Sequence, residues 1–442
     1  MAVTVGPMTA VERVQRRTVR TLATLQAIGT LGLGTLPSVG ILLAQQVTDS
    51  DVWAGLGRTG STLGAALAAL PLAALAARRG RRVALASGWL IAALGALVLI
   101  AAAQVRNVPL LLVGLAMTGA GTAAQYQARF AATDLAAPAE KARALGWVVW
   151  VGSIGLVLGP NLGTPGDWLA HRLQLATLGG TFVLAAAALA VTGMATFCLL
   201  RPDPLITALR IGETRAATAH TEVTAERETA GSRAMRLAAA REAWQLCRTN
   251  RTLATALAAI VTAQTVMVAV MTMAPVHMSD EGGSLTIVGI TISLHIVGMY
   301  WLAPVAGLVA DRGGTTIGIA VGAILFAASF ALAIADPSSM TTVAVSLVLL
   351  GLGWSFMSVA GAASLSSCVS GHQRTRMQGF ADTSANLIAA VGAFLGGPLM
   401  AIIGYGGLAT VAWIAMLPLG IFMLRRQQAH SVNPSQPAWP TD

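Results

Sequence analysis

LAARRGRR at residues 75–82 and LVADRGGT at residues 308–315 are two versions of one phrase, and their separation decides how the chain is built. Aligned, Arg78 falls on Arg312 and Gly80 on Gly314, each pair 234 positions apart. A second correspondence lies further along: Arg143, Gly146, Gly159 and Gly163 recur as Arg376, Gly379, Gly392 and Gly396, 233 positions on. Independent matches at nearly one offset mark a duplication of about half the chain.

Composition says what kind of half is duplicated. Of 442 residues, 55% are hydrophobic and only 10% are charged, against roughly a quarter charged in soluble proteins. Apolar runs of about 18 or more residues, each able to cross a hydrocarbon core about 30 Å thick as a helix, recur along the whole sequence. Twelve such spans are expected, over 22–44, 53–76, 83–104, 108–132, 145–165, 173–199, 253–276, 285–310, 316–335, 341–363, 380–402 and 405–424. The first is too long for a signal-peptide core and lacks a small-residue cleavage site, so it reads as a retained span. The predicted fold is an all-α membrane protein with twelve transmembrane helices in two six-helix bundles, 1–200 and 253–442, joined by a polar linker over 201–252. Six spans return the chain to its starting side, so the two copies are parallel.

The net charge of +10 is a topology signal and no sign of a nucleic-acid partner. Assigning loops alternately to two sides puts 25 of the 28 Lys and Arg residues on one side and leaves Arg58, Arg106 and Arg172 on the other. The positive-inside rule makes the rich side cytoplasmic, with both termini there, in the cytoplasmic membrane. Cys198, Cys247 and Cys368 have no metal-ligand spacing and imply no disulfide framework. Within the linker, AMRLAAAREAWQLCR at 234–248 reads either as an interfacial helix or as plain linker.

GLVADRGG at 307–314 resembles the loop signature of the major facilitator superfamily, with LAARRGRR as its first-half copy carrying Ala77 where that family usually has Asp. Gly155-x-x-x-Gly159-Pro160-x-x-Gly163 is similar to the family's glycine-proline motif, often seen in its proton antiporters. The resemblance covers nearly the whole chain and implies alternating access between the two bundles, with the solute path at their interface. It implies gating loops at Arg78, Gly80, Arg81, Asp311, Arg312 and Gly314. Physically, spaced glycines let helices approach closely and Pro160 bends its helix. The arginines also have a plainer reading, as loop charges that fix topology.

No enzyme is expected. The sequence has no P-loop, no nucleophile motif and no paired intramembrane carboxylates. Asp382 is the candidate for proton coupling, its alternative being a helix-end carboxylate paired with Arg374 or Arg376; Asp134 lies near another helix end, and Arg58 either binds an anion or snorkels to the outer surface. The chemistry concentrates in spans seven and eight, where TAQTVMVAVMTMAPVHM (262–278) carries Met267 and Met271 and the next span carries His295 and Met299. Both pairs are four residues apart, hence on one helix face, and 28 positions separate each member from its counterpart. Soft thioether and imidazole donors suit Cu(I). Gap-filling by methionine is the plain alternative, although five of the sixteen methionines fall between 267 and 299 and the first-half counterparts are Leu33, Pro37, Ser61 and Ala65.

This Met-x-x-x-Met and His-x-x-x-Met pairing resembles the motifs of bacterial CcoA-type copper importers, themselves major facilitator proteins. The resemblance implies Met267, Met271, His295 and Met299 as copper ligands along the path, copper being cargo and no resident cofactor. His277, Met273 and Met278 are either an inlet relay or a packing cluster. The expected protein is therefore a monomeric copper importer with the lipid bilayer as its solvent. The alternative is a proton-coupled carrier or exporter of a small organic compound such as a drug or riboflavin.

Overall fold

The computed structural model describes residues 10–50, 53–137, 140–219, 244–369 and 371–431. Helix is the only regular structure among them. Ten helical segments are long and apolar enough to cross a membrane. Two helices are too long to be one span. Leu56–Val105 has 50 residues and Gly371–Ser431 has 61, which at 1.5 Å per residue exceeds twice the hydrocarbon thickness. Each is broken by a glycine in the left-handed half of backbone space, Gly80 (φ 87°, ψ 169°) and Gly404 (φ 69°, ψ 178°). Divided there, the helices give the twelve spans.

Several boundaries differ from the hydropathy reading. Span one begins at Ala10, where expectation began at 22, and continues through a π-helical turn, Leu36–Gly40, into Ile41–Thr48. Its extra turns carry Arg13, Arg16, Arg17 and Arg20, whose charge hid the helix from a hydropathy window. Pro37 cannot donate a hydrogen bond, and Gly40 N–H reaches back five residues to Thr35 O at 3.1 Å. Span five runs as Lys141–Leu158, a 3₁₀ turn over Gly159–Leu162, then Gly163–Leu173. Span eight consists of Leu285–Tyr300 and Ala303–Gly313. The linker, expected to be polar, opens with a helix at Pro204–Ala219. Asp203 starts it: its Oδ1 accepts from Leu205 N (3.0 Å) and Ile206 N (3.2 Å), two of the amides a helix leaves unpaired at its start.

Two compact units result, residues 1–230 with 275–296, and residues 231–274 with 297–442. In the first unit, spans one and five cross closely. A Cβ on Gly159 would stand 2.5 Å from Gly34 Cα, so these backbones meet because neither residue has a side chain. Thr30, fully buried, donates across the crossing to Gly152 O at 2.6 Å. Trp89 and Phe182 fill the core beside them.

In the second unit, span seven (Arg251–Asp280) lies along span eleven, where a Cβ on Gly392 would sit 3.4 Å from Thr265 Cγ2. Gly392 is the repeat counterpart of Gly159, so one helix pairing recurs in both copies. Spans nine (Thr315–Ala335) and ten (Met340–Cys368) are tied by Ser329 Oγ donating to Ser346 O at 2.7 Å and Ser346 Oγ donating back to Ser329 O at 3.0 Å. The duplication also shows in the backbone. Gly314 (φ 88°, ψ 153°) has nearly the conformation of Gly80, in a region only glycine enters without strain.

Candidate functional site

In the second unit, Gln264, Met267 and Met271 follow one another at i, i+3 and i+7 along span seven and so share a face. Met267 is 2% exposed and Met271 5%. Gln264 Oε1 accepts from Trp354 Nε1 of span ten at 2.7 Å, and the Trp354 ring meets Tyr300 of span eight edge-on at 5.8 Å. Met299, also buried, adjoins Tyr300 in sequence. An amide, two aromatic rings and three thioethers therefore belong to three spans of this unit. Gln264 was not singled out from the sequence. Its repeat counterpart is Thr30, which also bridges its span to a neighbour; a polar residue at the same register of both copies was the available signal.

His295 belongs to the first unit and is fully buried. It lies two residues beyond Ser293, where the 275–296 segment fastens to span five. Asn161 Nδ2 donates to Ser293 Oγ at 2.7 Å, and Ser293 Oγ lies 2.5 Å from Val157 O and 2.8 Å from Gly289 O. Thr164 and Thr286 hydroxyls meet at 2.8 Å. Gly289 packs against Pro160 O, so the glycine-proline turn of span five is the surface on which span eight rests. Of the four candidate metal donors, then, Met267, Met271 and Met299 fall in one unit and His295 in the other. Met273 and Met278 are fully buried and His277 is half-buried; Met273 packs toward Gly396 of span eleven.

The first-half loop phrase lacks a carboxylate at Ala77, and two others serve it from outside the motif. Arg81 Nε donates to Asp134 Oδ2 at 3.0 Å, with Nη2 at 3.4 Å from the other carboxylate oxygen. Asp203 Oδ2 accepts Arg82 N–H at 2.7 Å while the Arg82 guanidinium lies 4.8 Å over the Phe197 ring. Ala77 leaves the phrase itself without a carboxylate, and the acids beside its arginines come from the ends of spans four and six. Gly80 is buried directly against the Asp203 carboxylate. Arg78 is exposed. In the second half, Asp311 and Arg312 are exposed and form no ion pair among the described residues.

Gly155 faces span one at Ala27 and Thr30, and Gly163 approaches Leu285 at 3.5 Å. Asp382 is exposed near the start of span eleven, its backbone carbonyl accepting from Asn386 Nδ2 at 2.8 Å. The side chains of Arg374 and Arg376, its suggested partners, fall outside the described residues. Arg58 is half-buried. The expected interfacial stretch 234–248 falls mostly outside the described residues too; its end forms a helix over 244–249 with Trp244 exposed and Cys247 buried against Leu253, Ala256 and Leu257. Burial pushes the Cys247 thiol above its ordinary range.

With this architecture in view, the sequence matches the Major Facilitator Superfamily over residues 22–284 and 255–440. It is 35% identical to the MFS-type transporter YddS of Bacillus subtilis over 417 residues, 93% of this chain and 92% of that protein. Identity to YdeG of the same organism is 36% over 415 residues, 91% of this chain and 90% of that one. The riboflavin transporter RfnT of Brucella anthropi is 28% identical over 407 residues, 90% of this chain and 92% of that one. In fold, the crystal structure of the nucleoside transporter NupG superposes with a TM-score of 0.65 at 16% identity, over 93% of this chain and 98% of that one. The likeness runs from one end of the chain to the other and carries the twelve-span duplicated plan with it: this protein is a multi-pass membrane transporter of the major facilitator superfamily.

Proposed function

We propose that the chain imports copper by alternating access, as a monomer in the cytoplasmic membrane with both termini inside. The observation that carries this reading is the burial of Met267, Met271, His295 and Met299, each 8% exposed or less, on two consecutive spans. No cluster of three or more His, Cys, Asp or Glu able to hold a metal exists among the described residues. The four buried side chains are neutral, soft donors, which favour Cu(I) over hard cations. Neutral donors also release their ion without leaving a buried charge behind. A monovalent cation moving inward gains about 2.3 kcal/mol per 100 mV of inside-negative potential, so inward transport requires no carboxylate.

Radiocopper accumulation in cells tests this. Met267→Ala and His295→Ala should abolish uptake at unchanged protein level, and undiminished uptake in both would end the copper reading. A second reading has its own support: the similarity to RfnT and the amide and rings of Gln264, Trp354 and Tyr300 favour a planar organic solute such as riboflavin. Under it, Gln264→Ala and Trp354→Leu impair uptake of labelled riboflavin, while His295→Ala leaves copper levels unmoved.

A further inference from the structure

Spans one and five are in contact at Thr30 and Gly152 and part toward their N-terminal ends, and between the parted ends lies a cavity of about 790 Å³. Span one lines it with Gln15, Arg16 and Arg20, span five with Arg143, Trp147 and Trp150. The span-five residues stand at i, i+4 and i+7, one helix face. The two indoles stack at 5.6 Å with 21° between planes, yet remain 52% and 43% exposed. Among the described residues none of the three arginines forms an ion pair, and Glu140 is the only carboxylate that lines the cavity.

Topology alone would bring arginines and tryptophans to this end of the bundle. Gln15 is what it does not account for. This side chain is 7% exposed; its Nε2 donates to Ala132 O at 2.7 Å, while its Oε1 is buried without a hydrogen-bond partner. A buried acceptor without a partner, on a residue that lines the cavity beside three cations and two rings, is suited to a donor on a bound molecule. The helix of span five also begins here, at Lys141, and its first amides favour an anion.

We propose that this cavity is a phosphate-ester site: the Arg16, Arg20 and Arg143 guanidiniums hold the phosphate, the Trp147–Trp150 pair holds an apolar or aromatic body, and Gln15 Oε1 takes a hydroxyl or N–H. The site is independent of which cargo the protein moves. A phospholipid headgroup and a soluble organic phosphate share this chemistry, so the test has an arm for each. Full-length protein in phosphatidylcholine nanodiscs is titrated with labelled adenosine monophosphate. In parallel, retention of phosphatidylglycerol is followed by native mass spectrometry. Arg20→Gln combined with Arg143→Gln should weaken retention about tenfold or more, the scale of losing charge-assisted hydrogen bonds. Arg17→Gln, which removes a charge from the same helix outside the cavity, should leave it unchanged. Arginine-dependent binding of the nucleotide identifies a soluble ligand, and arginine-dependent retention of the lipid alone identifies a headgroup. The site is refuted if neither ligand distinguishes the cavity variants from Arg17→Gln, or if neither is retained.

Discussion

Gly80 and Gly314 have almost the same backbone but different surroundings, which allows conformational strain to be separated from contact. An alanine at either position pays for a positive φ, about 1–3 kcal/mol. At Gly314 the new methyl meets nothing within 4 Å, whereas at Gly80 it runs into the Asp203 carboxylate that caps one helix and holds the start of span three. Gly80→Ala should therefore lower the thermal unfolding midpoint of the purified protein distinctly more than Gly314→Ala; equal shifts would show that the Asp203 contact is dispensable. The glycines were legible in the sequence because their demand is local to the backbone. Asp134 and Asp203 were not, since nothing near either residue in sequence announces that Arg81 and Arg82 will approach from another span. Gln264 escaped notice for a related reason: its partner Trp354 is ninety residues away.

Among the elements, the crossing of spans one and five shows how small groups set helix geometry in lipid. Thr30→Val keeps the shape and removes the hydroxyl that serves Gly152 O and Gln26 O; a loss of about 1 kcal/mol is expected in reversible unfolding. Gly159→Leu places a branched chain where Gly34 leaves no room, and overpacking of about 1–3 kcal/mol or more should show as a larger drop. The glycine-proline spacing made this helix recognisable, but its role as the rest for Ser293 and Gly289 required the fold. A different element check uses the return of the chain into span seven. The Cys247 thiol is raised by burial, so the fold favours its neutral form. That contribution is intact below the ordinary thiol pKa of about 8.5 and is lost as pH climbs through the raised value. Alkylation of Cys247, followed by mass spectrometry, should accordingly be slow at neutral pH and accelerate only in the alkaline range.

At the scale of the molecule, the number of spans and their twofold repeat followed from hydropathy and the repeat offset, because lipid forces every backbone amide into a helix and leaves few other solutions. Span ends were less legible, since arginine-bearing turns such as those from Ala10 to Arg20 are helical without being apolar. The remaining global quantity is orientation, which rests on 25 of 28 basic residues falling on one side and on the preference of such loops for the cytoplasm. Cysteine scanning decides it. With Cys198, Cys247 and Cys368 replaced by serine, Glu281→Cys sits in the exposed turn between spans seven and eight, and Arg17→Cys sits on the arginine-bearing start of span one. A membrane-impermeant maleimide added to intact cells should label the Glu281→Cys protein and reach the Arg17→Cys protein only after the membrane is opened. The reverse pattern would turn the molecule over and place the Arg16, Arg20 and Arg143 cavity on the outer face.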